Sequence, residues 1–184
     1  MFVILAKAGI LKKIWAPALA GVTFWIFLLL ALVAPAIAET LPRPTGRVVD
    51  AANILSASQE SRLAALSAEL ERSTSDQLAI VTVASVDGQD AGAFARRLGN
   101  SWGVGQRYLD NGVLILLVAR DRKVRISVGY GLEGLLTDEC AAKVVAHMLP
   151  YFRKGLYGAG LEKGEHEIIE VLTSDPRRPQ RKRR

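Results

Sequence analysis

Hydrophobic and polar positions divide the chain into an apolar front, a body with periodic patterning and a charged end. Ile14 to Ala38 is a run of 25 residues without a charge. Beyond it the apolar positions become periodic. Leu63, Leu66 and Leu70 recur at helical spacing, with Arg62, Glu69, Glu71 and Arg72 on the other side, and Ser56 followed by Gln59 supplies a capping box where this helix starts. Leu78 to Ser85 is rich in β-forming residues, and Ala91 to Trp102 carries Phe94, Leu98 and Trp102 at helical spacing. Gly112 to Ala119 is nearly all apolar, as in a strand covered on both faces. A polar break, Arg120-Asp121-Arg122-Lys123, separates it from Val124 to Val128, so the pair reads as an antiparallel hairpin. Thr137 caps a third helix with Asp138 and Glu139 in its first turn and Val144, Val145, Met148 and Leu149 as its apolar positions. This helix is expected to end at Pro150, and a last one is predicted over Gly160 to Leu172, with Leu161, Ile168, Ile169 and Leu172 inward.

The resulting order (helix, strand, helix, strand, strand, helix, helix) predicts one α/β domain built on a small mixed sheet. A helix between the first two strands is a crossover, which makes them parallel, and the third strand then runs back. The exit of that third strand, Gly129-Tyr130-Gly131-Leu132-Glu133, therefore lies beside the start of the second, Asp110-Asn111-Gly112, at one edge of the sheet. Asp76, just before the first strand, is expected at the same place, with Asp138 and Glu139 a short distance beyond.

Carboxylates from separate stretches thus converge on a glycine-rich rim where backbone carbonyls are open to a ligand. Oxygen donors of this kind suit a hard cation, Ca²⁺ or Mg²⁺, better than zinc. Plainer readings stand beside each position. Asp110-Asn111-Gly112 also reads as a turn that launches a strand, Glu133 as a solvated loop residue, and Asp138 and Glu139 as charges suited to a helix N-terminus. His147 and His166 have no second histidine at ligand spacing, and Cys140 in an amphipathic first turn reads as a packing residue.

Familiar catalytic signatures are missing. Gly129 to Gly134 matches G-x-G-x-x-G, but the helix begins only near Thr137 and leads to no further parallel strand, so a dinucleotide site is excluded. Gly99-Asn100-Ser101-Trp102-Gly103 spells G-x-S-x-G, but it falls at the end of the helix predicted over Ala91 to Trp102 and not on the strand-to-helix turn a nucleophile elbow needs, and the single cysteine excludes an intrachain disulfide and thiolate metal clusters. Any hydrolysis would have to be metal-assisted, with Asp110 and Glu133 the residues to test first.

The front and the end of the chain change how its charge is read. Lys7, Lys12 and Lys13 precede the apolar run, which ends in Pro35 and Ala36-Ile37-Ala38, the small-x-small pattern of a signal peptidase site. Residues 1–38 therefore read as a signal peptide or N-terminal membrane anchor, residues 39–46 as a linker rich in proline, and residues 175–184 as a basic, disordered tail. The expected location is periplasmic, or anchored to the outer face of the inner membrane. The formal net charge is +6. Without the three N-terminal lysines and the six basic residues of the tail, however, 15 basic side chains face 18 acidic ones. The body is mildly acidic, which points to a cation rather than nucleic acid. The tail suits anionic lipid or another anionic envelope polymer.

Val49-Asp50, Ile54-Leu55-Ser56, Trp102-Gly103-Val104-Gly105, Asp110-Asn111-Gly112-Val113-Leu114, Asp121 to Ile126, Val128 to Glu133 and Leu136-Thr137-Asp138 together resemble the TPM domain, over roughly Arg47 to Leu172. The resemblance implies a three-layer α/β/α sandwich around a small mixed sheet. It also implies export, in a family of bacterial envelope proteins and thylakoid-lumen proteins linked to photosystem II repair. Acid phosphatase activity is attributed to plant members and calcium binding to others. The family's acidic and glycine signature falls on Asp50, Asp110, Asn111, Gly112, Gly129, Gly131 and Glu133. The expectation is then an exported domain holding Ca²⁺ or Mg²⁺ through Asp50, Asp76, Asp110, Asn111 and Glu133, with weak metal-dependent acid phosphatase activity through Asp110 and Glu133. The alternative is a non-enzymatic envelope adaptor or assembly and repair factor that contacts another envelope protein.

Overall fold

Within residues 41–174, those described by the computed structural model, nine elements follow one another. They are strand β1 (Val48–Asp50), helix α1 (Ala57–Thr74), β2 (Gln77–Val83), α2 (Ala91–Trp102), β3 (Gly112–Val118), β4 (Lys123–Val128), a 3₁₀ turn (Tyr130–Leu132), α3 (Asp138–Arg153) and α4 (Tyr157–Ser174). Residues 1–38, read above as a signal peptide or anchor, and the basic stretch 175–184 lie outside the described residues. No described helix is long and apolar enough to cross a membrane.

The four strands form one sheet in chain order. β1 and β2 are parallel, as are β2 and β3, while β4 returns antiparallel to β3, which is the connectivity the crossover argument requires. Side chains alternate across the sheet. Leu78, Ile80, Val113, Ile115 and Leu117 meet Leu63 and Leu70 of α1, Val144, Met148 and Phe152 of α3, and Leu161, Ile168 and Leu172 of α4. On the other face Ala79, Val81, Leu114, Leu116 and Val118 meet Phe94, Ala95 and Leu98 of α2. All seven residues of β3 are buried, so its unbroken apolar run reflects helices on both sides. The architecture is a three-layer sandwich, with one helix on one face and three on the other.

The elements depart from expectation in three places. β1 was not anticipated: three residues are too few to show a period, and its pairing with Ile80, Val81 and Thr82 is long-range. α3 does not stop at Pro150 but continues to Arg153 with the proline inside it. Proline removes one ladder hydrogen bond, and the burial of Phe152 in the core holds the last turn in place. α4 starts at Tyr157, three residues before Gly160. A Cβ on Gly158 would lie 2.2 Å from Gln59 Nε2 and one on Gly160 2.4 Å from Phe152 Cε1. Poor helix formers are therefore required at the start of α4 by close packing. The segment before β1 has no regular structure, yet Leu41 packs against the α2 layer and the Trp102 indole donates to the Pro42 carbonyl at 2.8 Å. The compact unit accordingly begins at Leu41.

Candidate functional site

Two loops meet at the end of the sheet where β2 and β3 start and β4 stops. Gly129 N–H donates to the Gly112 carbonyl at 2.8 Å and Gly131 N–H to the Asp110 carbonyl at 3.1 Å. The approach is so close that a Cβ on Gly129 would lie 2.1 Å from the Asp110 carbonyl oxygen, and one on Gly131 1.9 Å from that of Leu109. Only glycine permits this contact. It fixes Asp110, held at φ 45°, next to the turn that presents Glu133.

Beneath the rim lies a set of amides. Asn111 is buried, its Nδ2 donates to the Ser75 carbonyl at 2.7 Å and approaches Asp76 Oδ1 at 3.4 Å, and its Oδ1 accepts from Gln106 N–H at 2.8 Å. Gln77 likewise accepts from Gly105 N–H at 2.8 Å and donates to Glu71 at 3.0 Å. Asp76 is buried at the head of β2. The topology thus brings Asp76, Asp110, Asn111 and the Gly129–Glu133 turn together. Asn111 acts there as a brace between two loops.

Asp50 does not join them. It pairs with Thr82, five residues along β2 from Gln77, which at 3.3 Å per residue is about 16 Å. Parallel pairing sends the end of β1 to the opposite end of the sheet from the rim, so Asp50 cannot share a ligand set with Asp110. There it accepts from Leu55 N–H at 2.8 Å and from the Thr82 hydroxyl, closing the β1–α1 connection. Asp138 and Glu139 occupy the first turn of α3 behind the Thr137 cap, and Glu139 pairs with Lys143 at 2.7 Å. His147 pairs with Glu167 at 2.9 Å; His166 is exposed and Cys140 half-buried.

Asp110 and Glu133 are exposed and have no ion pair among the described residues. Two tyrosines stand out beside them, Tyr108 at 94% exposure and Tyr130 at 82%, with half-exposed Leu109 between Tyr108 and Asp110. Among the described residues no three Asp, Glu, His or Cys side chains are grouped to hold a metal ion alone. The side-chain donors present are two outer carboxylates, whereas the carbonyls of Asp110, Asn111, Gly112, Gly129 and Tyr130, expected to be open to a ligand, each already accept a backbone N–H. Such a set fits a hard cation that keeps much of its water.

Sequence reasoning missed one titratable group altogether. Glu165 on α4 is fully buried, its Oε1 accepts from the Ser67 hydroxyl at 2.7 Å, and its Oε2 has no hydrogen-bond partner. Burial pushes its carboxyl up to about 8, the Ser67 hydrogen bond opposing. It is consequently neutral at pH 7. The signal was present, since Glu165 falls four residues after Leu161 and three before Ile168, on the apolar side of α4.

Comparison with known proteins is consistent with this architecture. The TPM domain family model matches residues 48–171. Among solved structures, the N-terminal domain of a P. gingivalis protein is 35% identical, with 71% of this chain and 83% of that one covered and a TM-score of 0.65. The BA42 protein from the psychrophilic bacterium Bizionia argentinensis is 20% identical, with coverage of 70% and 86% and a TM-score of 0.60. The N-terminal domain of the cg2496 protein from Corynebacterium glutamicum is 15% identical, with coverage of 80% and 95% and a TM-score of 0.57. The last two share the fold. No curated protein matches the chain.

Proposed function

Since the chain belongs to the TPM-domain family, we propose that it binds a divalent cation, Ca²⁺ in preference to Mg²⁺, at the Asp110/Glu133 rim and hydrolyses phosphomonoesters weakly there. One observation carries this reading: a glycine-locked junction holds two exposed carboxylates from different loops, without an ion pair among the described residues, at one end of the sheet. The cation would neutralise phosphate oxygens and acidify water. Asp110 and Glu133 would hold it from the two loops, and whichever carboxylate faces the water would take the proton. Asn111 and Gln77 keep the loops in register from beneath.

With only two side-chain carboxylates, the affinity for Ca²⁺ is expected to be on the order of 10⁻⁴–10⁻³ M, the range of sparsely charged extracellular sites. Calorimetric titration of the unit starting at Leu41 with Ca²⁺ and Mg²⁺ tests this beside an Asp110→Asn plus Glu133→Gln variant. Absence of binding, or binding the variant retains, refutes the site. Phosphate release from p-nitrophenyl phosphate, lost in the same variant, separates an enzyme from a non-catalytic adaptor. A contaminating phosphatase would persist when the rim is changed.

A further inference from the structure

β4 is the long open edge of the sheet. The order β1-β2-β3-β4 gives it one neighbouring strand, and the other edge, β1, is only three residues long. Opposite residues of an antiparallel pair alternate between those that exchange hydrogen bonds and those that do not. Gly129, opposite Gly112, is a bonded position, and the register carries that role on to Ser127, Arg125 and Lys123. Val124, Ile126 and Val128 therefore turn their N–H and C=O groups away from β3. Among the described residues the only bond to these outward groups runs from the Arg125 guanidinium to the Val124 carbonyl, at 3.1 Å. The N–H of Val124 and both groups of Ile126 and Val128 stay open.

The two faces of this edge differ in chemistry. Lys123, Arg125 and Ser127 lie opposite Val118, Leu116 and Leu114, on the α2 side of the sheet. There Ser127 joins Arg96 and Asn100 of α2 around an open cleft of about 60 Å³, where Gly99, Gly112 and Gly129 contribute no side chain to fill it. At roughly 15 Å³ per water the cleft has room for a carboxylate. Arg96 and Arg125 form no ion pair among the described residues, and Lys123 meets only the exposed Asp121, at 3.5 Å. On the opposite face Val124, Ile126 and Val128 join the α3 side of the core. Ile126 and Val128 are only half-buried, since no further strand lies beside them.

We propose that β4 takes up an extended acidic segment of another protein as a fifth strand of the sheet. Alternate side chains of that segment are apolar and cover Ile126 and Val128; those between them are carboxylates that meet Lys123, Arg125 and the Arg96 cleft. In strand addition the main-chain bonds supply affinity and the alternate side chains supply specificity. Basic side chains on an edge also guard it against indiscriminate pairing, and here they select the charge of the partner. They turn away a second copy of this chain, because antiparallel pairing of two β4 strands would bring both sets of Lys123 and Arg125 together on one face. The docking does not rest on a cation at the rim.

The test titrates the unit from Leu41 to Arg184, without divalent cation, with a capped octapeptide that alternates valine and glutamate, and follows ¹⁵N amide shifts and hydrogen exchange. Binding is expected to slow exchange at Val124, Ile126 and Val128 and to leave Lys123, Arg125 and Ser127, already bonded to β3, as they were. The same peptide with lysine in place of glutamate should bind about tenfold more weakly, the difference made by a few exposed charge pairs. A Lys123→Glu plus Arg125→Glu variant, whose exposed substitutions leave the core intact, should reverse that preference. Exchange slowed at none of the three amides, shifts spread over the basic surface without alternation, or equal affinity for the two peptides would overturn the proposal. So would slow exchange at those amides before any peptide is added. If that protection grows with protein concentration the occupant is a second copy, and if it does not the occupant is another part of this chain.

Discussion

Replacing Glu165 with glutamine should remove most of the pH dependence of stability near neutrality. Burial raises this carboxyl from 4.5 to about 8 on folding. A group raised in the folded state contributes stability that is complete below 4.5 and is lost as pH rises through 8. Between pH 5.5 and 7.5 the unfolded chain releases the proton and the folded one keeps it, at nearly 1.4 kcal/mol per pH unit. The expected loss across that interval is about 2.5 kcal/mol. The carboxylates lowered by ion pairs, Glu71 beside Arg47 and Glu139 beside Lys143, contribute in the opposite sense and below this window. In Glu165→Gln the amide oxygen can still accept from Ser67, and its NH₂ falls where Oε2 already lacks a partner. The two proteins should therefore be similar below pH 5. Urea denaturation followed by far-UV circular dichroism, at half-unit steps from pH 5 to 8, gives both curves. Between pH 5.5 and 7.5 the difference between variant and wild type should widen by about 2.5 kcal/mol in favour of the variant. A difference that stays constant with pH refutes the claim that Glu165 is buried and neutral.

Three substitutions separate the parts of the acidic and glycine signature. Asp50→Ala removes the acceptor for Leu55 N–H and the Thr82 hydroxyl, which should cost about 1–3 kcal/mol in denaturation while leaving Ca²⁺ titration unchanged; weakened Ca²⁺ binding without loss of stability would put Asp50 back in the site. Gly131→Ala forces a Cβ against the Leu109 carbonyl, so it should destabilise by about 1–3 kcal/mol and weaken Ca²⁺ binding, whereas Gly134→Ala, with nothing within 4 Å, should do neither; equal effects from the two would refute the close-contact argument.

How much of this could be read from the chain follows from the range of each interaction. The capping box at Ser56, the cap at Thr137 and the buried strand at Gly112 are local chemistry, and all three occur as read. The rim was legible as well, because a helical crossover has a handed and parallel outcome that places Asp76, Asp110 and Glu133 without knowledge of packing. Asp50 was brought in by its place in a family pattern, which carries no direction along the sheet. Only the parallel pairing of β1 reveals that it lies at the far end. Glu165 was hidden differently: a glutamate among leucine and isoleucine looks like a tolerated exception in a helix until Ser67 of another helix is seen to face it. The exposure of Tyr108 and Tyr130 likewise depends on loops whose path no periodicity encodes.

The brace at Asn111 also determines how the protein ages. Asn111-Gly112 is a sequence in which the backbone nitrogen of glycine readily attacks the asparagine amide, one reason asparagine is counted among the thermolabile residues. In the folded domain Asn111 is buried and its amide is held by Ser75 and Gln106, so the side chain cannot turn onto its own backbone. Each unfolding event releases it. Deamidation would then place a carboxylate against the Ser75 carbonyl and Asp76, and the loops would no longer close over it. Chemical lifetime is thereby tied to the rate of opening, and the bond that shapes the rim also records how often the domain has come apart.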